Sequence, residues 1–199
     1  MKPKTLATKK SVTGLIFILF FVVCALFICQ YFLPVCFFGD CAPKRDFHVL
    51  ELELPSSIFP DGVRISPIHP SSEGAGEIER GSQSIFWNSG NGSAGYDINR
   101  YPTIKKAIKV YELDYSHMAD SETKNVWVRP TELTYSSSTA DQFFVACGDW
   151  LGINHCGMLA RYREYEIFFR AIMDDQMAYS DFEKIIVYID EQISSRLYP

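Results

Sequence analysis

The pattern of apolar and polar positions divides the chain into an uncharged run near its start and a mixed remainder. Residues 14–33 contain no charged side chain, and a helix of twenty residues is about 30 Å long, which matches the hydrocarbon core of a bilayer. Pro34 discourages continuation of that helix. The run predicts a transmembrane signal-anchor helix over 12–34, with anchoring residues that include Gly14, Leu15, Phe17, Phe20, Leu26 and Leu33.

The placement of positive charge orients this predicted helix. Residues 1–11 carry four lysines and no acidic side chain, and positive residues beside a membrane span stay on the cytoplasmic side. We therefore expect a basic cytoplasmic tail over 1–11, a single-pass protein of the cell membrane with the lipid bilayer as one partner, and an extracytoplasmic C-terminal part. The alternative is a secretory signal peptide cleaved near Ala42.

The remainder reads as a connecting segment followed by one folded domain. Residues 35–77 contain Pro55, Pro60, Pro67 and Pro70 and end in a run rich in serine and glycine, a composition typical of a juxtamembrane linker. The folded domain is predicted over 78–199.

Two kinds of periodicity predict the elements of that domain. Alternation of apolar and polar residues predicts a hairpin of strands at 82–87 and 93–99, and further strands at 126–129, 132–136, 142–147, 158–162 and 165–173. An apolar stripe after Pro102 predicts one helix. A second helix is expected at the C-terminus, with Ser180 and Glu183 as its capping box. The order ββ-α-ββββ-α predicts an α+β two-layer sandwich, a mostly antiparallel sheet of about five or six strands with two helices.

Net charge argues against one class of partner. From residue 40 onward the chain carries 24 acidic and 15 of its 19 basic residues, a net charge of −9. Nucleic acid binding requires positive charge against the phosphates. We therefore expect no nucleic acid partner.

Four cysteines lie in the part predicted to be extracytoplasmic, where disulfides persist. Three pairings of the four are possible. Proximity along the chain favours Cys147–Cys156 and Cys36–Cys41.

The segment 147–156 is the strongest candidate for recognition. It joins two predicted strands, and a disulfide between its ends lowers the entropy lost on binding. The predicted interaction residues are Asp149, Trp150, Leu151, Ile153 and His155. In the alternative interpretation, Trp150 folds back over the edge of the sheet.

The sequence shows no arrangement that fixes a reaction, so we assign no catalytic, cofactor or metal residues. The four histidines lack the spacing of metal ligands. Glu164 and Glu166 lie two residues apart on a predicted strand, and nothing in the sequence raises the pKa of either carboxylate.

The leading hypothesis is a membrane-anchored extracytoplasmic protein-binding module, or a non-catalytic accessory subunit of a membrane complex. The alternative is a small-molecule or ion-binding domain with a pocket between the sheet and a helix. A hydrolase that uses His155 and Asp149 is the third hypothesis.

Overall fold

The computed structural model describes residues 7–32, 41–71, 74, 76–87, 91–119, 127–150 and 152–199. Among the side chains of residues 7–32, those of 14–26 and Ile28 are described, and the side chain of Trp150 is not. The first element, α1 (Ala7–Phe32), is a helix as the apolar run predicts.

The structure corrects the prediction that this helix crosses a membrane. No helix in the described part of the chain is long and apolar enough to do so. The prediction rested on the uncharged run at 14–33, because a bilayer-spanning helix needs about 20 successive apolar residues. Five predicted anchoring residues lie in α1, namely Gly14, Leu15, Phe17, Phe20 and Leu26, and Leu33 lies outside the described residues. The predictions of a single-pass topology and of a cell-membrane localisation depended on this span, and they are contradicted by the same finding.

The domain is an α+β fold built on one antiparallel sheet, as predicted. Its long strands are β3 (Glu79–Trp87), β4 (Gly92–Arg100), β5 (Gln142–Trp150), β6 (Ile153–Tyr162) and β7 (Tyr165–Ile172), and two short strands are β1 (Arg64–Ile65) and β2 (His69–Pro70). The order across the sheet is β1-β3-β4-β7-β6-β5, and β2 also pairs with β3.

Two predicted strands do not form. Of the segment 126–129, Val128 makes one isolated bridge to Cys147. The segment 132–136 is not part of the sheet. Its backbone is hydrogen-bonded to the C-terminal helix instead, because the N–H groups of Thr134 and Tyr135 both donate to Glu183 Oε1. Glu183 therefore serves a loop instead of the capping box expected with Ser180, and the helix begins at Tyr179 without a side-chain cap.

The two helices of the domain lie on opposite faces of the sheet, so the predicted two-layer sandwich is wrong. On β6, Gly157 faces Met118 of α2 (Ile104–Ala119), whereas Tyr162 reaches Asp190 of α3 (Tyr179–Leu197). Side chains at odd and even positions of a strand point to opposite faces. We call these surfaces the α2 face and the α3 face. On β7 the α2 face carries Glu166, Phe168, Arg170 and Ile172.

The main apolar core lies between the sheet and α3, and the predicted linker contributes to it. Phe169 of the sheet packs on Phe182 of α3 with ring centroids 5.5 Å apart. From the predicted linker, Leu52 and Leu54 are fully buried in the same core. Their acidic neighbours Glu51 and Glu53 remain exposed, so the alternation of acid and apolar residues there marks one buried side of an irregular segment.

Two buried carboxylates tie irregular segments to the α3 side of the domain. Asp190 accepts hydrogen bonds from Tyr162 Oη (2.5 Å) and Ser137 Oγ (2.6 Å), and the Tyr135 hydroxyl also donates to it. Glu164 accepts two hydrogen bonds from Arg45, at 2.7 and 2.9 Å. Charge-assisted, multidentate contacts of this kind hold the segments in one geometry.

Candidate functional site

The disulfide predicted between Cys147 and Cys156 is present, and it crosses the β5–β6 hairpin. The two residues are directly opposite each other, with their Cα atoms 4.0 Å apart. The backbone N–H and C=O of Cys147 bond to Val128 on the outer side of β5. The bridged residues therefore form a non-hydrogen-bonded pair, the closer of the two antiparallel pairings. Cys41 is also disulfide-bonded, while Cys36 lies outside the described residues.

The predicted interaction loop is a tight hairpin, because Asp149 pairs with Asn154 and Trp150 with Ile153 across the two strands. Asp149 Oδ1 accepts a hydrogen bond from Gly152 N (2.8 Å), and Gly152 has a φ of 81°. Asp149 therefore closes the turn. Glycine suits position 152 because it adopts a positive φ without steric cost. Leu151 and the side chain of Trp150 lie outside the described residues.

The hairpin residues do not assemble a catalytic pair. Asp149 and His155 lie on opposite faces of the hairpin, Asp149 with the cysteines and His155 with the α2 face, by the alternation of the two strands. His155 is buried, and because a carbonyl oxygen can only accept, its Nδ1 donates to Ile153 O (2.9 Å). Two apolar side chains are exposed near the hairpin tip: Ile153 is 46% exposed, and Val128 of the neighbouring bridge is 60% exposed.

The described residues cover the α2 face on one half only. On that covered half, a Cβ added to Gly148 would lie 3.0 Å from the Trp127 ring, and one added to Gly157 would lie 2.9 Å from Met118 Cε. The glycines of this half therefore make room for large side chains of the same chain. On the other half, a Cβ added to Gly95 would meet nothing within 4 Å.

The empty space above Gly95 belongs to a small cavity, which we call the Arg170 pocket. In the register of the sheet, Gly95 lies between Ser84 on β3 and Arg170 on β7. Neighbouring strands are about 4.8 Å apart, so Ser84 and Arg170 flank a gap of roughly 10 Å. The pocket has a volume of about 230 Å³ and is lined by Ser84, Phe86, Ser93, Ala94, Gly95, His155, Arg170 and Ile172.

The charge in this pocket is positive and partly withdrawn from water. Desolvation lowers the pKa of Arg170, and the nearby Asp97 carboxylate acts in the opposite direction. A guanidinium presents five N–H donors in a planar fork that matches a carboxylate. Arg170 can therefore keep its contacts within the chain and still bind an anionic group above Gly95.

A second unusual group on this face, Glu166, is sealed beneath α2. Glu166 is 1% exposed, and burial, together with the charge of Asp114, raises its pKa to about 7. Tyr101 Oη (2.9 Å) and Asn99 Nδ2 (3.3 Å) donate to its Oε2, whereas its Oε1 and Asn99 Oδ1 are buried without a hydrogen-bond partner in the described structure.

This finding corrects the expectation that no carboxylate has a raised pKa. It also separates Glu166 from Glu164, which binds Arg45 on the other side of the domain. Glu166 is closed off from solvent, and this burial disfavours its charged form.

Sequence reasoning missed Gly95 and Arg170, and a weak signal for Arg170 was present. Alternation along β7 puts Arg170 on the same face as Glu166 and Phe168, which marks that face as partly polar. No local pattern distinguishes the empty position above Gly95 from the filled position above Gly157. Among the residues that the structure describes, no group of three or more His, Cys, Asp and Glu side chains is arranged to hold a metal ion.

No known protein family matches this chain, and no curated protein sequence is significantly similar to it.

Proposed function

We propose that the chain is a non-catalytic protein-binding module whose partner docks over the Arg170 pocket and the neighbouring hairpin tip. One observation carries the proposal. Met118 and Trp127 fill the space above Gly157 and Gly148, but none of the described residues enters the equivalent space above Gly95. A gap of this kind on an otherwise packed sheet suits a side chain from another protein.

The surroundings of the pocket support a protein as the partner. Phe86 at its rim is 40% exposed, and Ile153 and Val128 add apolar surface at the hairpin tip. Apolar anchors surrounded by polar groups are typical of interfaces. Since the disulfide stiffens the hairpin, little conformational entropy is lost when a partner orders against it.

Site-specific photocrosslinking of the full chain in the cells that produce it tests the proposal. A photoreactive benzoylphenylalanine replaces Ile153 at the hairpin tip, which is 46% exposed and does not line the pocket, and the matched control carries it at Lys184, an exposed position on α3 whose side chain is 75% accessible. A third sample combines the Ile153 probe with Gly95→Leu, which fills the pocket at a position where a Cβ meets no other atom.

We expect one protein to crosslink reproducibly from position 153, to be absent from the Lys184 sample, and to fall at least tenfold in the Gly95→Leu sample. Equal crosslinking from both positions, or yields that do not respond to the filled pocket, would contradict a partner at this site.

Small-molecule binding is the second candidate function, and a larger cavity favours it. This cavity has a volume of about 440 Å³ and is lined by Glu53, Leu54, Pro55, Ser56, Ile65, Pro67 and Tyr188. Its size falls in the range of ligand sites, about 300–1,000 Å³. A small-molecule library screened by thermal unfolding should yield compounds that raise the midpoint of the wild type but not of Ser56→Trp, which fills the cavity mouth. A library without such compounds counts against this function.

A further inference from the structure

We propose that the Arg170 pocket binds the carboxylate of an aspartate or glutamate side chain in a peptide segment of the partner. This inference rests on the proposed protein-binding function and names the group that the site recognises. It is carried by the row of residues Ser84, Gly95 and Arg170, which lie side by side across three adjacent strands.

The position of Arg170 favours an anion above Gly95. Arg170 lies between two glycines, since it pairs with Gly95 on one side and with Gly157 on the other. The space above Gly157 is taken by Met118 and Trp127, so the space above Gly95 is where a ligand can approach the guanidinium. A carboxylate there can accept two parallel hydrogen bonds from the guanidinium fork.

Partial burial strengthens this preference. Arg170 has lost part of its hydration, as the downward shift of its pKa indicates, and an electrostatic contact is stronger where water is partly excluded. The hydroxyls of Ser84 and Ser93 line the same pocket and can donate to a carboxylate oxygen.

The dimensions select a side chain over a larger ligand. A volume of about 230 Å³ is below the usual range for drug-sized ligands. It suits the end of one acidic side chain, while exposed Phe86 and half-buried Ile172 at the rim can contact apolar neighbours in the same peptide. The peptide expected from this geometry therefore carries one acid flanked by apolar residues.

Selection from a randomised library of displayed peptides tests the inference, with the full chain immobilised. The library is panned on the wild type, on Arg170→Gln, Arg170→Lys and Gly95→Leu, and on Lys184→Gln. Lys184→Gln is the control because it removes one positive charge on α3, on the opposite side of the sheet from the pocket, at a side chain that is 75% accessible. Thermal unfolding of each variant confirms that it is folded before panning.

We expect peptides enriched on the wild type and on Lys184→Gln to share an aspartate or glutamate. Replacing that acid by asparagine or glutamine should weaken binding at least tenfold, as should Arg170→Gln or Gly95→Leu. Arg170→Lys should retain intermediate binding, because it keeps the charge and loses the planar fork.

Three outcomes would overturn the inference: no shared acid among the enriched peptides, no enriched peptide at all, or binding that survives both pocket variants. Competition by free glutarate separates the two sources of a carboxylate. If glutarate displaces the peptides at the affinity of the peptides themselves, the site recognises a small carboxylate and the peptide is not its ligand. A partner that crosslinks from the probe at position 153 yet binds Arg170→Gln normally would contradict this inference and leave the proposed function standing.

Discussion

The two faces of the sheet bury their carboxylates in different ways. On the α3 face, each buried carboxylate described above has several donors. Asp190 accepts hydrogen bonds from four hydroxyl groups, and Glu164 accepts two from Arg45. On the α2 face, Glu166 Oε1 and the neighbouring Asn99 Oδ1 have no hydrogen-bond partner in the described structure.

The faces also differ in how completely the chain covers them. Irregular segments such as 47–59 pack with α3 over the α3 face, whereas α2 covers β6 and β7 and leaves the Gly95 side open. The difference is that the α3 face carries the main apolar core, whereas part of the α2 face stays open among the described residues.

The largest expected effect is on the α3 face. Asp190→Ala leaves the hydroxyls of Tyr162, Tyr135 and Ser137 without their shared acceptor, and Tyr162 is fully buried. Because hydrogen bonds to a charged group are worth about 1.5–3 kcal/mol each, we expect the free energy of unfolding to fall by about 4 kcal/mol. Chemical denaturation measures it, with exposed Glu191→Ala as the control of equal charge. An effect no larger than that of the control would show that the two faces do not differ in this way.

The next largest effect is a gain in the free energy of unfolding, and it concerns Glu166 on the α2 face. The pKa of Glu166 is about 7 in the folded protein, against an ordinary value of 4.5. Between these values the carboxyl group is ionised in the unfolded chain but still protonated in the folded protein, so the stability that Glu166 contributes is fully present below pH 4.5 and is lost as the pH rises towards 7. At about 1.4 kcal/mol per pKa unit, the cost at pH 8 is about 3 kcal/mol.

Glu166→Gln removes this cost, because it introduces no buried charge and its amide can donate to Asn99 Oδ1, which has no partner in the described structure. We expect the variant to be more stable than the wild type at pH 8 and little changed at pH 4.5. Glu164→Gln, two residues earlier, should instead lose stability at pH 8, since it breaks the buried pair with Arg45. Parallel pH profiles of the two variants would refute the assignment of the two carboxylates to different roles.

The smallest expected effect is a difference in stability between alanine substitutions on the two halves of the α2 face. Gly157→Ala places a methyl group 2.9 Å from Met118 Cε and 3.2 Å from the Trp127 ring, and crowding of this kind costs about 1–3 kcal/mol. Gly95→Ala meets no atom within 4 Å, and we expect it to leave stability unchanged or slightly raised, since glycine weakens a strand. Thermal unfolding of the two variants compares them directly. Equal losses would mean that the Gly95 side is not open.

The elements that the sequence predicted well depend on local pattern. Alternation in 82–87 and 93–99 identified the β3–β4 hairpin, the stripe after Pro102 identified α2, and the short spacing of Cys147 and Cys156 identified the disulfide. Each of these signals arises from neighbours along the chain, because periodicity and loop closure are local properties.

The errors came from contacts between distant segments. Glu183 accepts hydrogen bonds from the backbone of residues 134 and 135 and does not cap its own helix. Leu52 and Leu54, predicted to lie in a linker, are buried in the core. Glu166 has a raised pKa because α2 covers it, and the sequence around it contains no trace of that cover. The hairpin at 147–156 stays a predicted recognition element, and what the sequence did not show is that Asp149 and His155 make contacts within the hairpin.

By itself, the sequence determined the antiparallel strands, the two helices of the domain and the covalent bridge, since these follow from residue type and spacing. The tertiary structure alone decided that the helices lie on opposite faces, and that Trp127 and Met118 fill the space above Gly148 and Gly157 but not above Gly95. Whether a glycine is a packing contact or an open site depends on which distant side chain reaches it, and that is set by the packing of whole elements against one another.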